Sequence, residues 1–525
     1  MKKFFFKICS KSGRIVGVNK KNVLLKIFFP LFCFAALIWF LIRVIPKPSR
    51  INYPCQQVVG PIAITTLTYI GSLTGIALLP RKAKSLIHNH KYFAGLCCSV
   101  VFVVCLGLFV GQSTLRVFAQ NLGAINHEYV PIDAGSSNPI GEGKGIFPGR
   151  VTWVRDSTVS TWNSEFGEGH WWEDKFTSQD KVDRMMEKDL LALTGTSTAS
   201  ESWNKIFTYH NKTHDKGNKG YQKGQKIAVK INCNNAYEGY SDVDNQIDAS
   251  KQTVLGMLRQ LINEAGVDQK DILVYEAIRV IPDRIYKPCH KEFPEVQWMD
   301  SKGNGENGRL SVQWRPNTIK YSGQIKCGTA IPQLVYDADY IVNMTLMKGH
   351  PSVGISLTAK NHYGTINNQD HTWFKMGDYH PFVDLMASKY IGGKTVLYML
   401  DGLYGIRDVN DPVTREYAGW YHLFGGEWLS SIFMSLDPLA IDAVGYDFLR
   451  AEFGARLGRG TGAAADVYMH EAALADNPPS GTVYMQDGKK VRSLGVHEHW
   501  NNPEQKQYSR NINKSGKGIE LLRVQ

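Results

Sequence analysis

The stretch DYIVNMTLMKGHPSVGISLTAKNHYG, residues 339–364, passes from an apolar run into a glycine-spaced loop that carries Lys348, His350, Lys360, Asn361 and His362. Tyr340 to Met344 has the composition of a buried strand. In open α/β sheets ligands collect just beyond the carboxyl ends of strands. Two ammonium groups and two imidazoles following one strand therefore mark a place for chemistry.

Working outward, further strands are expected at Lys226–Ile231 (KIAVKI), Asp271–Glu276 (DILVYE), Lys394–Leu400 (KTVLYML) and Ser431–Ser435 (SIFMS). Between them, Ser250 can cap a helix with Val254, Leu255, Leu258, Leu261 and Ile262 at helical spacing, and Gly266 follows as its stop. Asp437-Pro438 opens another helix, aspartate as cap and proline in the first turn. Strands alternating with helices predict an α/β fold, a mostly parallel sheet flanked by helices.

Charge separates this domain from what precedes it. Residues 1–115 hold 15 Lys and Arg and no Asp or Glu, whereas the rest of the chain holds 45 basic against 48 acidic residues. The overall charge of +12 thus resides in the N-terminal segment, and the domain lacks the basic surplus of a nucleic-acid binder. Three apolar stretches, about 24–45, 58–79 and 93–110, approach the ~20 residues that cross a bilayer. They predict an all-α transmembrane segment ahead of the domain, with the lipid bilayer as a partner. Lysines and arginines before the first stretch (Lys2, Lys3, Lys7, Lys11, Arg14) and between the second and third (Arg81, Lys82, Lys84, Lys91) belong on the cytoplasmic side. Three crossings make a multi-pass protein of the cytoplasmic membrane with its large domain on the extracytoplasmic side. Parity reverses if the second stretch, rich in Gly and Thr, does not span. The expected organisation is a membrane region at 1–111, a Gly/Ser/Pro-rich linker at 112–150, and the α/β domain at 151–525 with an irregular C-terminal extension.

Of nine cysteines only Cys233, Cys289 and Cys327 lie in the domain, and no CxxC occurs, so neither an iron-sulfur cluster nor a thiolate zinc site is expected. Cys289 and Cys327 could pair as a disulfide in an oxidising compartment. HExxH, GxSxG and the phosphate-binding glycine loops are missing; GEGKG at 141–145 precedes no strand-helix unit.

If the strands share a carboxyl edge, the side chains past their ends form one set. Lys348, His350, Lys360, Glu276 and Asp401 are the catalytic candidates. Asn232, Asn235, Arg279, Asn361 and His362 are the candidates for holding substrate. Lysine and histidine beside carboxylates suit anion binding and proton transfer near neutral pH. Carboxylates and imidazoles can equally hold a divalent metal, for which His470, His497 and His499 are the candidates, HxH placing two rings on one side of an extended segment. Asp437 alternatively serves only as a helix cap, and Trp153, Trp162, His170, Trp171 and Trp172 either grip a glycan or anchor a long insertion.

Lys230-Ile231-Asn232, Ala338-Asp339-Tyr340-Ile341-Val342-Asn343 with Lys348-Gly349-His350, Thr358-Ala359-Lys360-Asn361 with Gly364, and Asp437-Pro438-Leu439-Ala440-Ile441-Asp442 together resemble the family catalogued as domain of unknown function 362, over about 225–450. The resemblance implies an α/β core without naming a reaction. Some members carry cysteine-rich ferredoxin-like insertions, which this chain lacks. The function expected is a membrane-anchored enzyme acting on a small or envelope-derived anionic substrate. The alternative is a non-catalytic ligand- or glycan-binding envelope protein.

Overall fold

The apolar runs read from the sequence pair into one ten-stranded sheet. Numbered along the chain, its strands are β1 (Arg150–Arg155), β2 (Ile227–Lys230), β3 (Ile272–Glu276), β4 (Gln297–Asp300), β5 (Leu310–Ser311), β6 (Tyr340–His350), β7 (Gly354–Ile355), β8 (Thr395–Ile406), β9 (Ser431–Ser435) and β10 (Glu520–Val524). The computed structural model describes residues 6–8, 15–18, 138–164, 169–234, 236, 239–241, 244–368 and 378–525. The chain divides into two units, Met1–Asn126 and His127–Gln525. Of the first, the described part is an antiparallel pairing of Phe6–Ile8 with Ile15–Val18. The three apolar stretches lie outside the described residues. Among those described, no helix is long and apolar enough to cross a membrane.

Across the sheet the order is β10-β1-β9-β8-β6-β2-β3-β4-β5, with the short β7 turned back on the end of β6. Neighbours are parallel except where β9 meets β8 and β1 and where β7 meets β6. Every residue of β8 is buried, as is β6 up to Gly349, the two-sided burial required of strands covered by helices. On one face Val229, Val274, Val342 and Met399 pack with helices α1 (Gln179–Thr194), α2 (Ala199–Thr213), α3 (Lys251–Arg259) and α4 (Asp283–Glu292). On the other, Val151, Trp153, Tyr398, Leu400 and Phe433 pack with α5 (Thr358–Tyr363), α6 (Pro438–Phe453) and α7 (Ala465–Ala473).

Strands β6 and β8 run further than the sequence suggests. Asp401 and Gly402, beyond the expected end at Leu400, stay in β8 because they pair with Ile432 and Ser431 of β9. Gly405, the last residue but one of β8, has a positive φ, and a Cβ there would meet the Trp420 indole. Five strands are not expected from the sequence: β1, β4, β10 and the two-residue β5 and β7. Residues 140–150, expected in the linker, join the domain: Ile140–Gly141 pairs with Val496–His497, and Arg150 opens β1. The C-terminal extension likewise contributes α7 and the edge strand β10. Trp153, Trp162 and Trp171 are buried anchors, while Trp172 stacks on His170. The disulfide expected between Cys289 and Cys327 is not formed. Cys289 is buried on α4 against one face of the sheet, whereas Cys327 packs with the opposite cluster and lies 2.9 Å from the Tyr363 hydroxyl.

Helix α6 is almost wholly buried, yet carries Asp442, Asp447 and Glu452 and is capped by Asp437. Asp437 accepts from Leu439 N and Ala440 N, as its cap role predicts, and also from Lys144 N and Val496 N. Asp442 accepts from Thr358 N (2.8 Å), Thr358 Oγ1 (2.7 Å), Ala359 N (3.0 Å) and Tyr468 Oη (2.9 Å), so it caps α5 from outside that helix. Burial pushes Asp437 and Asp442 up to about 6. Asp442→Ala strands several buried donors at once and is expected to lower stability by more than ~2 kcal/mol, with Asp442→Asn losing less. Midpoints of urea unfolding for the two variants check this.

Candidate functional site

Lys230 closes β2 with its side chain buried, and a buried ammonium requires partners. Its Nζ donates to Glu276 Oε2 at the end of β3 (2.7 Å), to the Ile231 carbonyl (2.6 Å) and to Asn361 Oδ1 (3.2 Å). Asn361 is the hub. Its Oδ1 also accepts from Asn232 Nδ2 (3.0 Å), while its Nδ2 donates to Asn343 Oδ1 (2.7 Å) and to the Met344 carbonyl (2.9 Å). Asn232 Oδ1 accepts in turn from Lys348 Nζ at 2.5 Å. Hydrogen bonds thus run unbroken from Glu276 through Lys230, Asn361 and Asn232 to Lys348, joining β2, β3, β6 and α5.

Lys348 and Lys360 are both buried, 0% and 8% exposed. Burial drives the Lys348 ammonium down to about 7, against the opposing pull of Asp248 and Glu276. Burial likewise drives Lys360 down to about 7, reinforced by the nearby charges of Lys348 and Arg279. Asp248 is paired with Arg284 at 3.2 Å and Glu276 with Lys230, both pairs buried. Among the described residues neither Lys348 nor Lys360 has a carboxylate partner within ion-pair distance. Two such ammonium groups have the chemistry to hold an anion. Near neutral pH each amine can either hold that anion as ammonium or accept a proton as free amine. Cys233 also lies here, but burial, with Asp248 and Glu276 nearby, raises its thiol pKa well above the usual range, so it is no thiolate nucleophile.

The other sequence candidates fall in different places. Arg279 is within electrostatic reach of Lys360 and donates to the carbonyls of Asn234 and Ile278. Asn361 has its amide fully occupied by protein groups, which makes it a positioning residue. Asn235 lies outside the described residues. Asp401 accepts from Ser250 Oγ (2.6 Å), Thr253 Oγ1 (2.8 Å) and Leu403 N (3.2 Å), so it fastens the start of α3. Ser250, expected to cap that helix with its own hydroxyl, donates to Asp401 instead. His350 uses Nδ1 to accept from Ser352 N (3.1 Å) in the turn toward β7. Gly349 beside it touches Arg407, whose carbonyl oxygen would sit 1.9 Å from any Cβ, so this close approach admits only glycine. His362 is fully buried, accepts from Asn343 Nδ2 at 3.0 Å, and is driven by burial down to about 3, which makes it a neutral core ring. His470, His497 and His499 gather elsewhere in the domain, around Asp466.

Sequence reasoning passed over Lys230, Asp248, Arg284 and Asn343 as site groups. Lys230 did leave a signal, a lysine inside an otherwise apolar strand. Asp248 left none, since it sits in an irregular segment.

Residues 311–447 match the model of a family described as Domain of unknown function (DUF362). The match takes in β6, α5, β8, β9 and α6 through Asp447, and so includes Lys348, Lys360, Asn361 and Asp442; Lys230 and Glu276 lie before it. Among curated proteins, none matches this chain.

A lysine whose folded-state pKa is depressed from 10.5 to about 7 opposes folding fully below pH ~7, and that cost disappears as pH rises toward its unfolded value. Lys360→Met is therefore expected to raise Tm by several degrees at pH 6.5, with the gain shrinking by pH 10. Thermal unfolding of variant and parent across that range checks the sign.

Proposed function

We propose that the chain is a membrane-anchored enzyme whose α/β domain acts on a small or envelope-derived anionic substrate at the lysine centre. The observation that carries this reading is the pair of buried lysines, Lys348 and Lys360, both drawn down to about 7 and without carboxylate partners among the described residues. Arg279 adds positive charge nearby. An arriving anion supplies the missing countercharge and favours the ammonium forms. Substrate binding and proton uptake are then one event, and the proton gained can afterwards be delivered to the substrate. Glu276, fixed by Lys230 and the Cys233 amide, keeps the local charge from rising further; Asn232 and Asn361 hold the Lys348 amine in place.

Anchoring is supported by the three apolar stretches and the lysines and arginines beside them, which argue for a large domain on the extracytoplasmic side. An alkaline phosphatase reporter fused after Arg116 is expected to be active; an inactive fusion with an active cytoplasmic-type reporter at the same position would reverse the orientation.

For the site, mass spectrometry of small molecules released from the full-length protein at pH 6.5 is expected to find an anionic compound. Lys348→Met and Lys360→Met should each reduce its occupancy at least tenfold, and parent occupancy should fall between pH 6.5 and 8.5 as the amines deprotonate. Undiminished occupancy in both variants would remove the lysines from the reading. A compound held and returned chemically unchanged, under conditions where the chain turns over nothing, would make it a binding protein instead of an enzyme.

A further inference from the structure

The histidines of the C-terminal region are arranged for a task that the lysine centre does not explain. Helix α7 sets Asp466 and His470 one turn apart on a single face. The extended segment through Val496 and His497 sets His497 and His499 on a common side. The two groups meet. His499 Nε2 lies 3.3 Å and His497 Nε2 3.5 Å from Asp466 Oδ1, and ligand atoms of Asp466, His470 and His497 all lie within 4.8 Å of one another. A tetrahedral ion with bonds of ~2.0–2.1 Å separates its ligands by roughly 3.3–3.4 Å. The two separations from Asp466 match that edge without movement, and Asp466, His470 and His497 need to close from at most 4.8 Å.

The outer contacts point the same way. Asp447 Oδ1 lies 2.7 Å from His499 Nδ1, and the Asp466 main-chain carbonyl lies 2.9 Å from His470 Nδ1. An acceptor on Nδ1 selects the tautomer that carries its proton there and leaves the Nε2 lone pair for a cation, the usual support for a metal-bound imidazole. Asp447 is itself fixed by Trp500 N (3.0 Å) and Tyr508 Oη (2.9 Å). His497 is 2% exposed and its Nδ1 has no hydrogen-bond partner among the described residues, a buried polar atom left unsatisfied at a cost in free energy. A proton shared between His499 and Asp466 would satisfy those two groups, yet leave the His470 and His497 rings converging on the same carboxylate without a hydrogen bond to it.

We propose that Asp466, His470, His497 and His499 bind one divalent transition-metal ion of the zinc type, with Asp447 as the outer partner of His499. Three imidazoles and one carboxylate suit zinc and its neighbours far better than magnesium or calcium, which prefer all-oxygen shells. Such an ion ties α7 and the 496–500 segment to α6, which carries Asp447.

Elemental analysis of the full-length protein purified without chelator is expected to find close to one zinc-type ion per chain. Zinc chloride titrated calorimetrically into chelator-stripped protein should show one saturable site and raise its Tm. His470→Ala and His497→Ala should weaken that site at least 100-fold, and Asp447→Asn should weaken it by about 10- to 100-fold while keeping all four ligands. Cobalt(II) loaded in place of zinc should give the intense visible absorption of a tetrahedral site. The proposal is overturned if the stripped parent binds no zinc saturably, or if the alanine variants bind as the parent does. If either alanine variant fails to fold, unchanged zinc affinity in Asp447→Asn together with an octahedral cobalt spectrum in the parent overturns it equally.

Discussion

Helix α6 holds the domain together through carboxylates placed five residues apart, at positions 437, 442, 447 and 452. Five residues advance about 140° around a helix, so successive acids face different directions. Each accepts main-chain N–H groups from a different part of the chain: Lys144 and Val496 at Asp437, Thr358 and Ala359 at Asp442, Trp500 at Asp447, and Tyr421, His422 and Leu423 at Glu452. Burying four acids is costly, as the upward displacement of Asp437, Asp442, Asp447 and Glu452 records. The hydrogen bonds offset that cost only when every loop is docked. Irregular segments with few apolar contacts of their own thereby acquire defined positions.

The lysine centre depends on this arrangement at one remove. Asp442 sets the start of α5, and α5 carries both Lys360 and Asn361. Asn361 then spends its whole amide on Lys230, Asn232, Asn343 and the Met344 carbonyl, which fixes the end of β6 and with it Lys348. Positive charge is concentrated where β2, β3 and β6 approach one another, and the described carboxylates Glu276 and Asp248 are already committed, Glu276 to Lys230 and Asp248 to Arg284. A protein gains no stability by burying uncompensated ammonium groups, which is why such groups more often belong to function than to architecture.

The residues that reveal themselves in the sequence are those governed by local rules. Ser431–Ser435 and the Asp437-Pro438 helix start emerge as read, because strand composition and capping act within a few residues. Convergence of Lys348, Lys360 and Glu276 also follows, since parallel strands must end on a common edge. What escapes is decided at a distance. Asp401 resembles an active-site acid until Ser250 and Thr253, some 150 residues earlier, are seen to occupy it. His350 and Lys348 are two residues apart in one strand, yet a register irregularity after Leu346 and the pairing of His350 with β7 give them different surroundings. HxH at 497–499 gives no hint of Asp466, because the carboxylate comes from a separate helix. Strand β1 hides among tryptophans that suggest an insertion, and Lys230 among the apolar residues of β2.

The pairing of β10 with β1 has a consequence for how the domain is made. Arg150 and Glu520 are joined across 370 positions of sequence. The other neighbour of β1 is β9, also far downstream. As the polypeptide emerges from the ribosome, β1 must wait for both flanking partners, exposing an apolar ribbon with open backbone donors and acceptors while most of the domain is being translated. Newly synthesised chains thus carry an unpaired, aggregation-prone edge until the last strand of the sheet has been made.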